Sequence, residues 1–207
     1  MKMDKVVFVD GGSSDGSVEW INKHLTNQLG CDVEFIQSPS GRAKQMNAGA
    51  QRAEQDVVLF LHADTELPNE THQEVAQAVS QNYLWGRFNV TFDQPSVVMN
   101  VIAFFINYRS RLSKVATGDQ AMFIDRDLFN QLGGFDDIAL MEDVALSKKL
   151  IKLNKPPYAS KETVTTSARR WQQDGVVKTV CKMWWYRFAF FLGASPEFLA
   201  QGYRNVR

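Results

Sequence analysis

The chain has 207 residues, and its 23 lysines and arginines balance 23 aspartates and glutamates. That length sustains one substantial core, and zero formal net charge excludes a nucleic-acid binder that works through a broad basic field. The two cysteines, Cys31 and Cys181, lie far apart and make no metal or redox pattern. They are expected to be buried free thiols in a reducing compartment.

Met1-Lys2-Met3-Asp4-Lys5 leads into apolar sequence with no signal-peptide h-region. No apolar stretch reaches the ~18 residues needed to span a bilayer; Val97 to Ile106 is interrupted by Asn100, and Met183 to Ala194 by Arg187. The expected location is cytoplasmic, either in solution or at the inner face of the membrane.

Val6-Val7-Phe8-Val9 reads as the first strand. It runs into Asp10-Gly11-Gly12-Ser13-Ser14-Asp15-Gly16-Ser17, a glycine-rich turn that lets a ligand approach the backbone. Ser17 is placed to cap a helix through Trp20, Ile21 and Leu25. Val33 to Ile36 is the second strand, and Arg42 opens a helix through Met46, Ala50 and Ala53. Val57 to Thr65 is an unbroken apolar run ending in polar residues, expected to be one strand buried on both faces of a parallel sheet. Its carboxyl end would carry His62, Ala63 and Asp64 to the sheet edge, where open α/β sheets bind ligands. Asp64 there is the candidate anchor for Mg²⁺ or Mn²⁺. Pro68 starts a helix through Val75 and Val79.

The second half is less regular. A strand is expected over 84–92, a helix over 97–112, a short strand over 120–124 and a short helix over 126–132. Met141-Glu142-Asp143 opens a helix that Asn154-Lys155-Pro156-Pro157 stops. Thr163 to Thr166 is β-prone, 176–192 is a long aromatic helix, and Pro196 opens a last one. For the aromatic helix, a core position is the plain expectation. Its Trp and Tyr residues beside Lys182 and Arg187 also suit a membrane interface. Strand–helix alternation points to an α/β layer in a single domain, with 1–92 as a nucleotide-binding half and 93–207 as an acceptor-side half ending in aromatic helices.

Asp10, Asp64 and the Glu142–Asp143 pair sit at strand ends and a helix start, and could share one cleft. Taken alone, Asp10 equally suits a turn, and Glu142–Asp143 suits helix capping better than a site. Arg42 and Lys44 follow a Gly loop, where a helix N-terminus already attracts phosphate. Arg169 and Arg170 flank Trp171, and Gly118-Asp119-Gln120 is a further polar cluster.

In order along the chain, Val9 to Ser17, Gly41-Arg42-Ala43-Lys44-Gln45-Met46-Asn47-Ala48-Gly49-Ala50, Leu61-His62-Ala63-Asp64-Thr65, Gly118-Asp119-Gln120, Met141 to Leu146 and Arg169-Arg170-Trp171 resemble family 2 glycosyltransferases of the GT-A fold. The wording around His62-Ala63-Asp64, Glu142-Asp143 and Ser167 to Trp171 is most similar to a bacterial subgroup associated with arsenosugar biosynthesis. The resemblance implies a GT-A-like, mostly parallel sheet and inverting transfer from a nucleotide-diphosphate sugar to a small-molecule or lipid-linked acceptor. It also implies roles: Asp10 and Gly11 at the base, Arg42 near the diphosphate, Asn47 supporting that loop, and Asp64 as metal ligand. Asp143 would be the general base with Glu142 beside it, and Arg170 and Trp171 would lie near diphosphate and acceptor. Gly118, Asp119 and Gln120 fall on the acceptor side.

Three departures accompany it. His62 stands where the family's D-x-D has its first carboxylate, and Ser167 stands where Q-x-x-R-W has glutamine. The chain also starts at the family's second strand. The missing strand would lie between those of Val6 and Val57, so the expectation is that these pair directly, that another segment lies between them, or that the chain is a shortened gene product. The alternatives are a non-catalytic nucleotide-sugar-binding module and a nucleotidyltransferase, the latter weighed against by acidic Asp10 and Asp15 in the first loop.

Overall fold

The computed structural model describes residues 5–24 and 30–203. Met1 to Asp4 and Leu25, named above, lie outside the described residues. Strand β1 (Lys5–Asp10) pairs in parallel with β2 (Asp32–Gln37), from Lys5 opposite Asp32 to Asp10 opposite Gln37. Between them runs α1 (Ser17–His24). Ser17 does not hold that helix start through its own cap; its N–H and hydroxyl both donate to Asp15 Oδ1, at 3.1 and 2.6 Å.

The main sheet has five strands in the order β3 (Val57–Leu59), β6 (Phe123–Asp125), β5 (Trp85–Phe92), β7 (Tyr158–Thr166) and β4 (Thr65–Glu66). Strands from both parts of the chain share it. Only β5 and β7 run parallel; β3–β6, β6–β5 and β7–β4 are antiparallel. The sheet is therefore mixed rather than mostly parallel. The apolar run from Val57 is also not one strand. Phe60 N–H still donates to Met122 O (2.8 Å), but Thr65 N–H then turns back to His62 O (3.1 Å), and the chain re-enters at the opposite edge as β4. Two-face burial was the correct part of that expectation: Val58 and Phe60 meet one cluster, Val57 and Leu59 the other. Coverage on both faces does not require parallel neighbours, because helices can cover a mixed sheet equally well.

Helices α2 (Arg42–Ala50), α5 (Arg126–Gln131) and α6 (Glu142–Lys152) cover one face, with Ala43, Ala50, Phe129, Leu146 and Leu150 against Phe60, Trp85 and Ile124. α3 (Thr71–Ser80) covers the other, with Val75 and Ala78 on Phe88, Val90 and Val164. β1 and β3 do not pair, and among the described residues no strand lies between them. α2 joins the two sheets instead. Gln45 Nε2 donates to Val9 O (3.1 Å), and Gly49 lets the helix close on Val9, since a Cβ there would lie 3.0 Å from Val9 Cγ2.

The remaining helices are α4 (Val97–Ser113), α7 (Arg169–Asp174), α8 (Val176–Phe191) and α9 (Pro196–Tyr203). Asn107 of α4 bonds both Val90 N–H and Val90 O, at 2.9 and 3.0 Å, and so completes the β5 ladder. Met99, Ile102 and Ala103 of α4 pack with Trp171 and with Val176, Val180 and Met183 of α8. α8 is not the core helix expected: Thr179 and Tyr186 are its buried residues. The thiols differ from expectation too. Cys31 is half-buried and Cys181 is exposed on α8.

Candidate functional site

The site is built around Gly118, in the short 3₁₀ turn Gly118–Gln120 that leads into β6. A Cβ at Gly118 would collide with Arg42 Nη2 and with the His62 ring. Three distant segments therefore meet only because this residue has no side chain. Arg42 enters from the first turn of α2, behind Gly41, whose φ of 142° belongs to glycine. Arg42 Nη2 lies 3.1 Å from His62 Nε2, and Arg42 Nε lies 3.1 Å from Glu142 Oε1.

Glu142 and Asp143 begin α6 after Met141, which adopts a left-handed φ of 69°. Asp143 is tethered at both oxygens: Gly118 N–H donates to Oδ2 and Val144 N–H to Oδ1, each at 2.7 Å. Two lone-pair positions remain on that carboxylate. Glu142 is 1% exposed, and its ion pair with Arg42 misses hydrogen-bond alignment, so both of its oxygens lack a donor. Burial, with Asp143 adding repulsion against a weaker pull from Arg42, pushes its pKa up to about 7. Burial, with Arg42 second, holds His62 below its ordinary pKa, so the ring is neutral at neutral pH. As acceptor from Arg42, Nε2 carries the lone pair and Nδ1 the proton. Met46, Phe60, Met122 and Phe135 form an apolar cavity against His62 and Asp143, which explains the desolvation.

Asp64 and Ala63 are exposed in the turn between β3 and β4, and Asp64 O accepts Ser167 N–H (3.1 Å). That bond brings the 64 turn beside α7. The charges of Arg42 and Asp64 both act on Arg170, whose pKa is lowered chiefly by burial. Asp119 Oδ1 is buried without a hydrogen-bond partner, and Gln120 is fully buried, with Nε2 donating to Phe88 O (3.4 Å). Arg42, His62, Asp64, Gly118, Asp119, Glu142, Asp143 and Arg170 thus form one connected group.

Other expected site residues make contacts of their own. Asp10 accepts from its own loop, Gly12 N–H at 2.9 Å and Ser13 N–H at 3.1 Å, and its pKa is lowered first by the Ser13 hydroxyl. Gly11 rests against Gln45. Asn47 clamps the backbone of Phe135, donating to its carbonyl (2.8 Å) and accepting its N–H (2.9 Å). Trp171 is buried edge-on against Phe92, 5.7 Å between ring centres.

The model of glycosyl transferase family 2 matches residues 2–133. This chain belongs to that family. A glycosyltransferase of Haemophilus influenzae described as uncharacterized is 28% identical to it over 80 residues, 39% of this chain and 32% of the relative. The crystal structure of S. aureus TarS 1-349 in complex with UDP superposes with a TM-score of 0.59 at 17% identity, over 81% of this chain and 52% of that one. The mannosyltransferase PcManGT from Pyrobaculum calidifontis, in complex with GDP-Man and Mn²⁺, gives 0.60 at 16% identity, over 93% and 56%. These likenesses show a shared GT-A-like α/β fold. The chain spans about half the length of those solved chains and about a third of the curated relative.

In this family 2 domain, no three His, Cys, Asp or Glu side chains among the described residues converge on a ready cation cage. The donor set fits a divalent ion in a different way. Such ions settle for one or two carboxylates when phosphate oxygens and water complete the shell, and exposed Asp64 beside Arg170 offers one. His62 Nε2 is turned to Arg42 and supplies none. Two family 2 site candidates escaped the sequence reading: Arg109 on α4 and Arg187 on α8 both turn inward, and Asp119 and Asp143 face both of them. Burial lowers both guanidinium pKa values, that of Arg109 to about 10, and Arg109 Nη2 lacks a hydrogen-bond partner. The visible signal was an arginine inside each apolar helix; Arg187 was taken as a break in hydropathy and an interface charge, and Arg109 was not singled out.

Proposed function

We propose that this chain transfers a glycosyl group, with inversion, from a nucleotide-diphosphate sugar to an acceptor hydroxyl. The observation that carries this is Asp143, fixed by Gly118 and Val144 beside the Arg42–His62 contact. Asp143 takes the proton of the acceptor hydroxyl as the acceptor's oxygen bonds the anomeric carbon. The bond to the diphosphate breaks, and the nucleoside diphosphate leaves. Arg42 and Arg170 hold the departing charge. A divalent ion on Asp64, when bound, adds Lewis-acid stabilisation of the same oxygens. The UDP, GDP-Man and Mn²⁺ of the two structural neighbours support the donor class and the ion.

In this reading residues 1–92 serve the donor, with Asp10 and Gly11 at the base. Residues 93–207 serve a small-molecule or lipid-linked acceptor, with α8 touching the membrane. An association with arsenosugar biosynthesis rests on the resemblance of the quoted segments alone. The deciding variant is Asp143→Asn. Calorimetry should show unchanged binding of UDP or GDP, while transfer falls by ~10²–10⁴, and NMR of the product should show an inverted anomeric centre. Normal turnover in the variant removes Asp143 as base. The separate β1–β2 sheet favours a second reading, a binding module. Nucleotide binding with no hydrolysis or transfer under Mn²⁺ would establish it.

A further inference from the structure

α4 and α8 are each apolar on two opposite faces. Successive helical residues are about 100° apart. On α4, buried Met99, Ile102, Ala103 and Ser110 take the inner arc, while Val97, Val101, Phe104, Phe105, Tyr108 and Leu112 take the outer one. On α8, Thr179 and Tyr186 turn inward, and Val177, Trp184, Trp185, Phe188 and Phe191 turn outward. These outer residues are strongly exposed: Phe104 60%, Phe105 62%, Trp184 68%, Trp185 62%. Each row exposes several hundred Å² of apolar surface, on the scale of the largest patch of an ordinary monomer, roughly 300–600 Å². The two helices are neighbours, since Met99 and Ile102 share a cluster with Val176, Val180 and Met183.

Charge identifies the occupant. In a chain of zero net charge, the segments 96–114 and 175–196 contain no Asp or Glu and carry Arg109, Arg111, Lys114, Lys178, Lys182 and Arg187. Arg109 and Arg187 turn to the cleft and Arg111 donates to Asn89 Oδ1 (3.3 Å), which leaves Lys114 and Lys178 exposed and Lys182 half-exposed on these two segments. A second copy placed on this surface would set basic residues against basic residues, with no acid on either helix to meet them. Rings at the headgroup level with Lys and Arg beside them suit a lipid interface with negative headgroups. Among the described residues no helix is long and apolar enough to cross a membrane, so the contact is with the surface.

We propose that the outer faces of α4 and α8 together dock this protein on an anionic bilayer. This rests on the membrane contact of the preceding section and gives it a surface and a lipid charge.

Flotation with phosphatidylcholine vesicles, with and without phosphatidylglycerol, tests it. The wild type should float with the anionic vesicles and shift Trp emission to the blue. Phe104→Glu/Phe105→Glu on α4 and Trp184→Glu/Trp185→Glu on α8 should each weaken vesicle binding roughly tenfold or more. Val79→Glu/Leu153→Glu, at exposed apolar positions elsewhere, should bind as wild type, with circular dichroism confirming that every variant is folded. Equal binding to neutral vesicles overturns the anionic requirement and leaves membrane contact standing; no flotation overturns both. Loss in only one helix's variant overturns the joint face. A dimer by light scattering that the same substitutions split assigns the face to a second copy instead. Binding of UDP or GDP is measured in parallel and is expected to be unchanged, so failure of docking is distinct from failure of the transferase reading.

Discussion

Asp10 and Asp143 are both carboxylates held by backbone N–H groups, and their surroundings differ in every other respect. Asp10 closes a loop on itself, its donors two and three residues away, in a two-stranded sheet where β1 has no fully buried residue. Asp143 takes one donor from Gly118, twenty-five residues distant, and lies 8% exposed beside a second carboxylate with no hydrogen-bond donor at all. The first arrangement is local and solvated, so its electrostatics are screened. The second is assembled from three remote segments in a low dielectric, where each partner changes the others. In the proposed reaction, catalytic power belongs where charges are held without water.

The sharpest way to break this contrast is Gly118→Val. Its side chain displaces Arg42 and His62 together, and displacement on the ångström scale is expected to cost ~10² or more in transfer rate. Initial rates under saturating donor measure it, with overpacking costing about 1–3 kcal/mol in urea unfolding. Wild-type rates would mean that the Arg42–His62 contact is irrelevant to turnover.

Glu142→Gln tests the buried charge next. The folded pKa of about 7 lies above the ordinary 4.5, so the folded state holds a proton that the unfolded chain releases. Stability from this group is complete below about 4.5 and is lost as pH rises to about 7, an effect on the order of 3 kcal/mol. His62, held below 6.5, has the opposite sign: its contribution is present above 6.5 and is lost as pH falls. Urea unfolding at pH 5 and pH 8 should therefore show a wild-type decline that the glutamine variant lacks.

Asn47→Ala removes both bonds to Phe135 and should cost about 2 kcal/mol by the same assay. Donor affinity should change less than stability does. The smallest structural effect belongs to Asp10→Ala, whose melting temperature should match wild type because loop and water can replace its bonds. A melting loss as large as that of Asn47→Ala would show the β1–β2 sheet to be integral to the core.

How far the residues disclosed the molecule follows the same divide. Elements with local causes were legible: the strand before Asp10, the helix after Gly41, the stop at Asn154 to Pro157. The run at Val57 was read correctly as covered on both faces and wrongly as parallel, because partner direction is set by β6, more than sixty residues on. The group around Gly118 was legible as residue types, since His62, Arg42 and Asp143 were all named. That Gly118 is the space between them was not, because a glycine with a negative φ carries no turn signature. Arg109 and Arg187 were missed for a related reason: the direction of a charged side chain on an aromatic helix depends on what the helix packs against.

Among the described residues one edge of β1 has no strand partner, which has a kinetic consequence. α2 meets this strand through a Gln45 hydrogen bond to Val9 O and the close approach of Gly49 to Val9, with no strand-to-strand ladder. Amide deuteration in native buffer should therefore proceed through 5–10 and 32–37 as one cooperative opening while β5 and β7 remain protected. If this unit meets the nucleotide base as proposed, it would breathe independently, and its tightening on donor binding would be visible as slowed exchange.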